Sequence, residues 1–441
     1  MTKIVKLNKK IGSFKKSIIV PGDKSLSIRW VLFASLANGT SKAKNLLMSE
    51  DVLAAIKAIK KLGIRVTINK KECIIFGKGF EGYQYKKNLK LNAQNSGTLG
   101  RLILGLLVNS LESIALVGDK SLSKRDFKRI SDPLSKFGVK FKLSNKKFLP
   151  LKIQGSSKLN PVKYFEKRGS AQCKSSVIFA AMRTNGTTII KAKKSRNHTE
   201  LLFRYLGLPI TIKKKKEIDI IKVKGQTKIK QLNYKIPSDI SSSAFFIVLT
   251  ILSKNSKLIL KNVNINPTRI GILKILKLMK IKIQIKNKKN YKGELIADLY
   301  VKSHKKINSV NCPSSLNSSS IDEFLLIFLL AAKANGISYF KNISELNQKE
   351  SPRLKWGSKI LNEMGVKNSI TSNSIKIYGN PNLKIFKKIV IKNFLKDHRV
   401  FMACTIAALT FGGKWEIFDK NSIKTSFPSF LDKLKELGVK F

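Results

Sequence analysis

The chain has 441 residues, of which 43% are hydrophobic. This length exceeds one ordinary hydrophobic core and predicts two or three domains. The longest apolar run, from Phe324 to Ala332, falls well short of the roughly 18 residues that a membrane helix needs. The basic N-terminus lacks the apolar stretch of a secretory signal. We therefore expect a cytoplasmic protein that does not associate with membranes.

The charge balance is strongly basic. Lys and Arg number 87, Asp and Glu number 26, and the net charge is +61. Such an excess is typical of proteins that bind nucleic acids or other polyanions. The lysines are nevertheless spread over every segment, and only Lys213 to Lys216 form a run of four. Because a nucleic-acid groove concentrates basic residues and interleaves aromatic ones, the even spread favours AT-rich coding bias and no specific nucleic-acid partner.

The cysteines stand far apart and form no CxxC pair, and no His is spaced to complete a zinc site. We expect reduced, buried thiols and no metal centre. The four positions are Cys73, Cys173, Cys312 and Cys404.

One pattern recurs six times: a short polar or charged cluster, then an apolar helix, then a strand. Consecutive clusters lie 69 to 83 residues apart. Because helix N-termini bind anions, the pattern predicts a sixfold repeat with anion-binding helix starts. The clusters begin at Lys24, Asn95, Ser170, Asp239, Asp322 and Asp397.

A second signal supports the repeat. Amphipathic helices end in a Leu-Gly-Ile type stop and lead into a short strand, because glycine supplies the left-handed C-cap conformation. The fourth copy, at Leu278 to Ile281, has lost its glycine. We predict two globular α/β domains of three units each, with the apolar helices buried and an interdomain cleft that receives their N-termini. The other five stops are Leu62-Gly63-Ile64, Phe137-Gly138-Val139, Leu206-Gly207-Leu208, Met364-Gly365-Val366 and Leu437-Gly438-Val439.

The hexapeptide GDKSLS occurs twice, at Gly22 to Ser27 and at Gly118 to Ser123. Arg29 follows the first copy and Arg125 the second. Both copies place a cation beside serine hydroxyls, which suits a phosphate or a carboxylate; the alternative is a pair of solvated turns.

The first three clusters carry polar groups that can either cap a helix or bind a ligand. For Asn95 and Thr98 both interpretations stay open. Ser170 has no base or nucleophile motif around it, so we expect it to hydrogen-bond to substrate rather than attack it. The Asp239 cluster is interpreted as structural.

The second half supplies the ionisable groups. Acidic and basic side chains occur at two helix starts, Asp322-Glu323 and Asp397-His398-Arg399. They also occur in the segment Lys349 to Arg353, after the intervening strand. A carboxylate near cations can accept a proton, and a carboxyl near a lysine can return one. We therefore predict acid-base chemistry there.

Together these clusters resemble the 5-enolpyruvylshikimate-3-phosphate synthase family, also called 3-phosphoshikimate 1-carboxyvinyltransferase. Seven motifs in the same order carry the resemblance and span nearly the whole chain. They are PGDKSLSIR at Pro21 to Arg29, NSGTLGR at Asn95 to Arg101, SAQCKS at Ser170 to Ser175, IDEF at Ile321 to Phe324, ELNQKESPR at Glu345 to Arg353, DHR at Asp397 to Arg399 and TSFPSF at Thr425 to Phe430.

The resemblance implies two inside-out α/β domains, each of three βαβαββ units. One domain would span 21–237, and the other would combine 1–20 with 238–441. The implied reaction transfers the enolpyruvyl group of phosphoenolpyruvate to the 5-hydroxyl of shikimate 3-phosphate through a tetrahedral intermediate, without a metal or cofactor. The protein would be a monomer in aromatic amino acid biosynthesis.

The same resemblance assigns roles to single residues. Asp322 would accept the hydroxyl proton, Glu350 would protonate the methylene carbon, and Glu350 or Lys24 would assist the elimination. Shikimate 3-phosphate would contact Lys24, Ser25, Arg29, Ser170, Ala171, Gln172, Ser195, Arg196, Asp322 and Lys349. Phosphoenolpyruvate would contact Lys24, Gly97, Arg125, Gln172, Arg353, Arg399 and Lys424.

Three positions depart from the family pattern. Pro352 stands where Asp is usual and cannot donate a backbone hydrogen bond. Asp126-Phe127 replaces Pro-Met or Pro-Ile after Arg125, and Lys424 aligns only with a shift of one residue. His398 is expected to orient its neighbours.

Two other functions compete with this interpretation. An enolpyruvyl transferase acting on a UDP-sugar shares the fold, but it relies on a reactive cysteine in a glycine-rich basic loop, and neither Cys73 nor Cys173 lies in one. A basic repeat protein that binds RNA would show tight, salt-sensitive binding and no turnover.

Overall fold

A computed structural model describes residues 4–441 and confirms a mixed α/β fold. No helix in this part of the chain is both long and apolar enough to cross a membrane. The strands are β1 (Val5–Leu7), β2 (Lys15–Ile18), β3 (Ala37–Lys44), β4 (Arg65–Ile68), β5 (Glu72–Lys78), β6 (Lys90–Asn92), β7 (Ile114–Val117), β8 (Lys140–Ser144), β9 (Phe148–Gln154), β10 (Lys163–Glu166), β11 (Thr187–Lys193), β12 (Ile210–Lys214), β13 (Ile218–Lys224), β14 (Ile229–Lys230), β15 (Tyr234–Lys235), β16 (Lys257–Asn264), β17 (Gln284–Tyr291), β18 (Glu294–Lys302), β19 (Asn311–Cys312), β20 (Ile337–Lys341), β21 (Asn368–Ile370), β22 (Ser374–Tyr378), β23 (Ile385–Ile391) and β24 (Gly412–Ile417).

The helices alternate with these strands. The α-helices are α1 (Lys24–Leu36), α2 (Glu50–Lys61), α3 (Gly97–Leu106), α4 (Lys128–Ser135), α5 (Ala171–Ala181), α6 (His198–Tyr205), α7 (Ile240–Leu252), α8 (Gly271–Leu278), α9 (Asn317–Ser320), α10 (Phe324–Lys333), α11 (Arg353–Glu363), α12 (His398–Phe411) and α13 (Phe430–Glu436). Short 3-10 helices cover Leu122–Lys124, Ser314–Leu316, Ser344–Gln348 and Lys420–Thr425.

The chain divides into two compact units. Unit 2 comprises Gly22–Ile236 with Lys292–Glu294, and unit 1 comprises the residues up to Pro21, Pro237–Tyr291 and Leu295–Phe441.

Each unit contains three sheets, most of which follow one plan, while the sheet β1-β24-β23 has three strands in the described chain. In unit 2, β6 pairs parallel with β7, and β7 and β8 each pair antiparallel with β9. The order β10-β11-β13-β12 repeats this plan, and in the third sheet β14 and β15 both pair parallel with β3. In unit 1, β19-β20-β22-β21 has the same plan. The two N-terminal strands complete the remaining sheets of unit 1, because β2 pairs parallel with β16 and β1 pairs antiparallel with β24.

One apolar helix per repeat is buried along almost its whole length. These helices are α1, α3 and α5 in unit 2 and α7, α10 and α12 in unit 1. Their sequences are apolar on nearly every face, so burial is the arrangement that removes most apolar surface from water. The prediction of six buried helices is thus confirmed. Asp239 caps α7 and pairs with Arg269, in keeping with a structural role.

The glycine stops behave as predicted. A positive φ is found at all five stop glycines, which are Gly63, Gly138, Gly207, Gly365 and Gly438. In the copy without glycine, Lys280 takes the left-handed conformation itself, with φ of 61°. The expected strand after Gly438 is wrong, since Val439–Phe441 form no regular structure. All four cysteines are free and buried, and burial raises the pKa of the Cys73 thiol to about 11.

Candidate active site

The two GDKSLS copies form the same local hydrogen bond. Asp23 Oδ1 accepts from the Leu26 amide at 2.9 Å and caps α1, and Asp119 Oδ1 accepts from the Leu122 amide at 2.7 Å. The first copy opens an α-helix and the second a single 3-10 turn. The repeated sequence therefore encodes the same aspartate-to-amide hydrogen bond twice, and the first copy uses it to cap a helix.

Lys24, the first residue of α1, lies beside a carboxylate. Its Nζ is 2.9 Å from Asp51 Oδ2, and the Asp51 side chain is largely buried at the start of α2. Sequence reasoning missed Asp51, whose only signal was an acidic residue in a first helical turn.

Arg29 lies on the same helix and is buried. Its NH1 donates to the Ser25 carbonyl at 3.1 Å, and its other two nitrogens contact hydroxyl groups on α5 and α6. The backbone of Ser25 therefore helps to orient the guanidinium.

The start of α3 places two arginines beside a glycine. A Cβ atom added at Gly97 would lie 3.1 Å from both Arg101 NH1 and Arg125 NH1, so glycine leaves room for both guanidinium groups. The pKa of Arg101 is lowered to about 9, chiefly by burial and next by the nearby positive charges of Arg129 and Arg125. The structure thus adds Arg101 to the predicted cations.

Gln172 links α5 to α3. Its Oε1 accepts from Arg101 NH1, and its Nε2 donates to Thr98 Oγ1 at 3.0 Å. Ser96 caps α3, so neither Asn95 nor Thr98 serves as the cap. Asn95 instead donates through Nδ2 to Asp119 at 2.6 Å. We therefore interpret Asn95 and Thr98 as part of the polar network at this helix start.

The remaining predicted residues of unit 2 surround the start of α5. The Ser170 hydroxyl accepts from the Cys173 amide and caps the helix, and Ala171 is its first residue. Ser195 is buried, and its Oγ has no hydrogen-bond partner within residues 4–441. Arg196 follows in the half-buried turn between β11 and α6.

In unit 1, Arg353 is the centre of an ionic network. It donates from Nε to Asp397 Oδ2 at 2.9 Å and from NH2 to Asp397 Oδ1 at 3.2 Å. NH2 also contacts Glu350, and NH1 lies 3.5 Å from Asp322 Oδ1. Burial alone would lower the pKa of Arg353, but the carboxylates, led by Asp397, raise it above its usual range.

The carboxylate of Asp397 is fully buried beneath this arginine. Burial would raise its pKa, yet the Arg353 guanidinium outweighs burial and holds the pKa of Asp397 below its usual range. Ser351 Oγ donates to the same carboxylate at 2.8 Å, and Asp397 caps α12 through the Arg399 amide. This residue therefore orients a side chain and a helix start together.

Arg399 reaches toward the segment that precedes α10. Its NH1 donates to the Asp322 carbonyl at 2.6 Å, and its NH2 lies 3.8 Å from Asp322 Oδ2. The structure thus brings together four predicted residues: Asp322, Glu350, Arg353 and Arg399.

The two other predicted cations of unit 1 are Lys349 and Lys424. Lys349 is half-buried beside Glu350, and Lys424 is exposed in a 3-10 helix. The neighbouring Thr425 hydroxyl lies 3.1 Å from His398 Nδ1.

The departures from the family motif are accommodated locally. Pro352 occupies the N-cap of α11, and its carbonyl accepts from the Trp356 amide, so Arg353 can begin the helix. Asp126 Oδ1 accepts from the Arg129 amide at 3.3 Å, and Phe127 is buried with the Arg101 guanidinium 5.4 Å from its ring centre.

Comparison with known proteins identifies the family. The family described as EPSP synthase (3-phosphoshikimate 1-carboxyvinyltransferase) matches residues 8–434. The chain belongs to this family. It is 38% identical over 434 residues to 3-phosphoshikimate 1-carboxyvinyltransferase from Caldicellulosiruptor bescii, covering 97% of this chain and 98% of that protein. The same enzyme from Ruthia magnifica is 38% identical over 98% of this chain and 97% of its own length.

The solved structures of the family have the same fold. EPSP synthase from Acinetobacter baumannii superposes with a TM-score of 0.87 and 31% identity, covering 99% of this chain and 98% of that structure. The enolpyruvyl transferase NikO from Streptomyces tendae has a TM-score of 0.76 over 100% of this chain and 98% of its own, at 13% identity, which shows a shared fold only. The resemblance inferred from seven motifs is thus confirmed.

Proposed function

We propose that this chain is a 3-phosphoshikimate 1-carboxyvinyltransferase of the shikimate pathway. It transfers the enolpyruvyl group of phosphoenolpyruvate to the 5-hydroxyl of shikimate 3-phosphate and releases inorganic phosphate. The family match across residues 8–434 carries the proposal. The proposed enzyme is a cytoplasmic monomer that needs no metal or cofactor.

Substrate binding is assigned mainly to the cationic helix starts. Both substrates are phosphorylated carboxylic acids, so positive charge must offset their mutual repulsion. In unit 2, Arg101 and Arg125 converge at Gly97, and Lys24 and Arg29 lie on α1. We assign phosphoenolpyruvate to Lys24, Gly97, Arg125 and Gln172, with Arg101 as a further cation. We assign shikimate 3-phosphate to Lys24, Ser25, Arg29, Ser170, Ala171, Gln172, Ser195 and Arg196.

Unit 1 contributes further contacts to the same two substrates in this proposal. We assign phosphoenolpyruvate to Arg353, Arg399 and Lys424, and shikimate 3-phosphate to Asp322 and Lys349. Arg353 and Arg399 are each held by a neighbouring acidic segment, so their guanidinium groups need little rearrangement.

Proton transfer is assigned to the carboxylates of unit 1. Asp322 takes the proton of the 5-hydroxyl while the hydroxyl oxygen bonds to C2 of phosphoenolpyruvate. Glu350 donates a proton to the methylene carbon C3. The tetrahedral adduct then loses phosphate while a C3 proton returns to Glu350 or to Lys24. Contacts of Arg353 with both Asp322 and Glu350 support this assignment, because they fix two proton-transfer groups beside one cation.

The direct test measures phosphate release from purified protein. Release is expected only when both substrates are present, and neither substrate alone should give product. Folded protein that releases no phosphate with both substrates at millimolar concentration would contradict the proposed function.

A further inference from the structure

Three acceptors from three different segments hold the guanidinium group of Arg29. Nε donates to Thr199 Oγ1 at 2.8 Å, NH2 donates to Ser175 Oγ at 3.1 Å, and NH1 donates to the Ser25 carbonyl at 3.1 Å. A planar group anchored through all three nitrogens has a fixed plane and direction. The orientation of Arg29 therefore depends on residues distant from it in sequence.

The two hydroxyl groups are themselves linked in a defined direction. Thr199 Oγ1 donates to Ser175 Oγ at 2.8 Å, so Thr199 accepts one hydrogen bond and donates another. Both residues have no exposed surface. Because water does not reach this site, loss of one hydroxyl would leave the Nε–H of Arg29 without its acceptor.

A buried ion pair ties together the two segments that carry these hydroxyls. Lys174 precedes Ser175 on α5, and Glu200 follows Thr199 on α6. Lys174 Nζ lies 2.6 Å from Glu200 Oε1, with side chains only 1% and 2% exposed. A buried pair of this kind fixes the separation of the two helix starts, because parting the charges would leave both desolvated.

These three acceptors are neutral groups. A carboxylate in the same place would also orient the guanidinium but would offset its charge, whereas a hydroxyl or a carbonyl orients it without doing so. The three hydrogen bonds therefore fix the direction of the guanidinium without themselves neutralising it.

We propose that Thr199 is a positioning residue that orients Arg29 for the shikimate 3-phosphate anion and so sets the affinity for that substrate. The inference rests on the proposed function. Thr199 acts through Arg29 and not by touching the reacting atoms.

The test compares Thr199→Val, which keeps the side-chain shape, with Thr199→Ser, which keeps the hydroxyl. Thr199→Val should raise the KM and the Kd for shikimate 3-phosphate about tenfold, the usual cost of losing a hydrogen bond to a charged group. The kcat and the KM for phosphoenolpyruvate should stay within about twofold of wild type, and Thr199→Ser should restore the affinity.

A matched control separates positioning from stability. Thr184 is also fully buried in unit 2, and its hydroxyl donates to the Ala181 carbonyl at the far end of α5. Thr184→Val should lower the melting temperature about as much as Thr199→Val while leaving the KM for shikimate 3-phosphate unchanged. An equal rise in KM for both variants would overturn the proposal.

A double-mutant cycle shows whether Thr199 acts through Arg29. In an Arg29→Ala background, adding Thr199→Val should leave kcat/KM for shikimate 3-phosphate unchanged. A further tenfold loss there, or no loss in the wild-type background, would contradict the proposed role. If wild-type protein neither binds nor turns over shikimate 3-phosphate, the proposed function itself fails, and that result is visible before any variant is made.

Discussion

The two units hold their arginines in different ways. In unit 1, carboxylates surround Arg353, and one of them, on Asp397, is fully buried. In unit 2, Arg29 is held by two hydroxyls and a carbonyl, and Arg101 by the amide oxygen of Gln172. Both arrangements orient a guanidinium, and the carboxylates of the first also offset its charge.

The difference between neutral and acidic partners corresponds to two proposed functions, anion binding and proton transfer. Neutral acceptors leave positive charge available, so the helix starts of unit 2 suit the binding of anions. Carboxylates held by an arginine have set positions, which proton transfer requires. Unit 2 also contains cations with acidic partners, since Lys24 pairs with Asp51, Lys174 with Glu200 and Arg183 with Glu81.

The largest expected effect tests whether a carboxylate of unit 1 transfers a proton. Asp322→Ala should lower kcat by about 100-fold to 10,000-fold, the usual contribution of a general base. The fold should persist, because the contact from Arg353 NH1 to Asp322 is long, at 3.5 Å, and the Asp322 side chain is still 17% exposed. Steady-state phosphate release with both substrates measures the effect.

The control for this variant is another acidic residue of unit 1. Asp432 on α13 has a side chain that is 70% exposed and contacts only a surface lysine in the described chain. Asp432→Ala should leave kcat unchanged. Wild-type turnover by the Asp322 variant would remove Asp322 from the proposed mechanism.

The next effect concerns stability and tests the buried ion pair. Asp397→Asn keeps a residue that can cap α12 but removes the charge that faces Arg353. At neutral pH we expect the free energy of unfolding to fall by about 3 kcal/mol, since breaking a buried pair leaves one charge uncompensated. Urea denaturation measures this loss.

The same pair predicts a pH dependence. The pKa of Asp397 is lower in the folded protein than its ordinary value. Its ionised form therefore stabilises the fold above the unfolded pKa of about 3.9, and this stabilisation is lost as the pH falls through the lower folded pKa. The difference in free energy of unfolding between wild type and Asp397→Asn should decrease at acid pH. A difference that stays constant from pH 7 to pH 3 would show that the charge is not its cause.

An exposed pair provides the reference for that measurement. Lys433 Nζ lies 2.7 Å from Glu436 Oε1, but the Glu436 side chain is 48% exposed. Glu436→Gln should change the free energy of unfolding by less than about 0.5 kcal/mol, because solvent screens such pairs. The contrast isolates burial as the source of the larger effect.

Much of the fold could be predicted because its signals are local. The glycine stops and the apolar helices can be recognised in short windows of sequence. Asp23 and Asp119 accept the same local hydrogen bond because the same hexapeptide surrounds them. Lys280 shows the limit, since it takes a glycine-like conformation in a fold that requires one there. The chain past Gly438 forms no strand, and β1 from the N-terminus pairs with β24 instead.

The site was less predictable because its contacts join distant segments. Asp51 and Thr199 lie outside the seven motifs, and Arg101 ends the NSGTLGR motif but was assigned no role from the sequence; each acquires a role through the residue that it contacts. Asn95 and Ser96 are adjacent residues with equally good capping side chains, and only the backbone geometry selects Ser96. The family motifs contain some of the residues that hold the substrate-assigned side chains, such as Asp397 and Ser175, but not Asp51 or Thr199.

The smallest effect is expected when an arginine of unit 2 receives a carboxylate partner, as Arg353 has in unit 1. Gln172→Glu would place a carboxylate against Arg101, whose pKa of about 9 reflects burial among like charges. The new charge should raise that pKa and leave stability unchanged or higher, while the KM for phosphoenolpyruvate rises about tenfold because the cationic site is partly neutralised. Gln84→Glu is the control, because Gln84 also accepts from a cation, Lys78, at an exposed site. If the KM stays constant while Arg101 gains a carboxylate partner, the surplus charge of unit 2 does not attract phosphoenolpyruvate, and the division of tasks between the units is wrong.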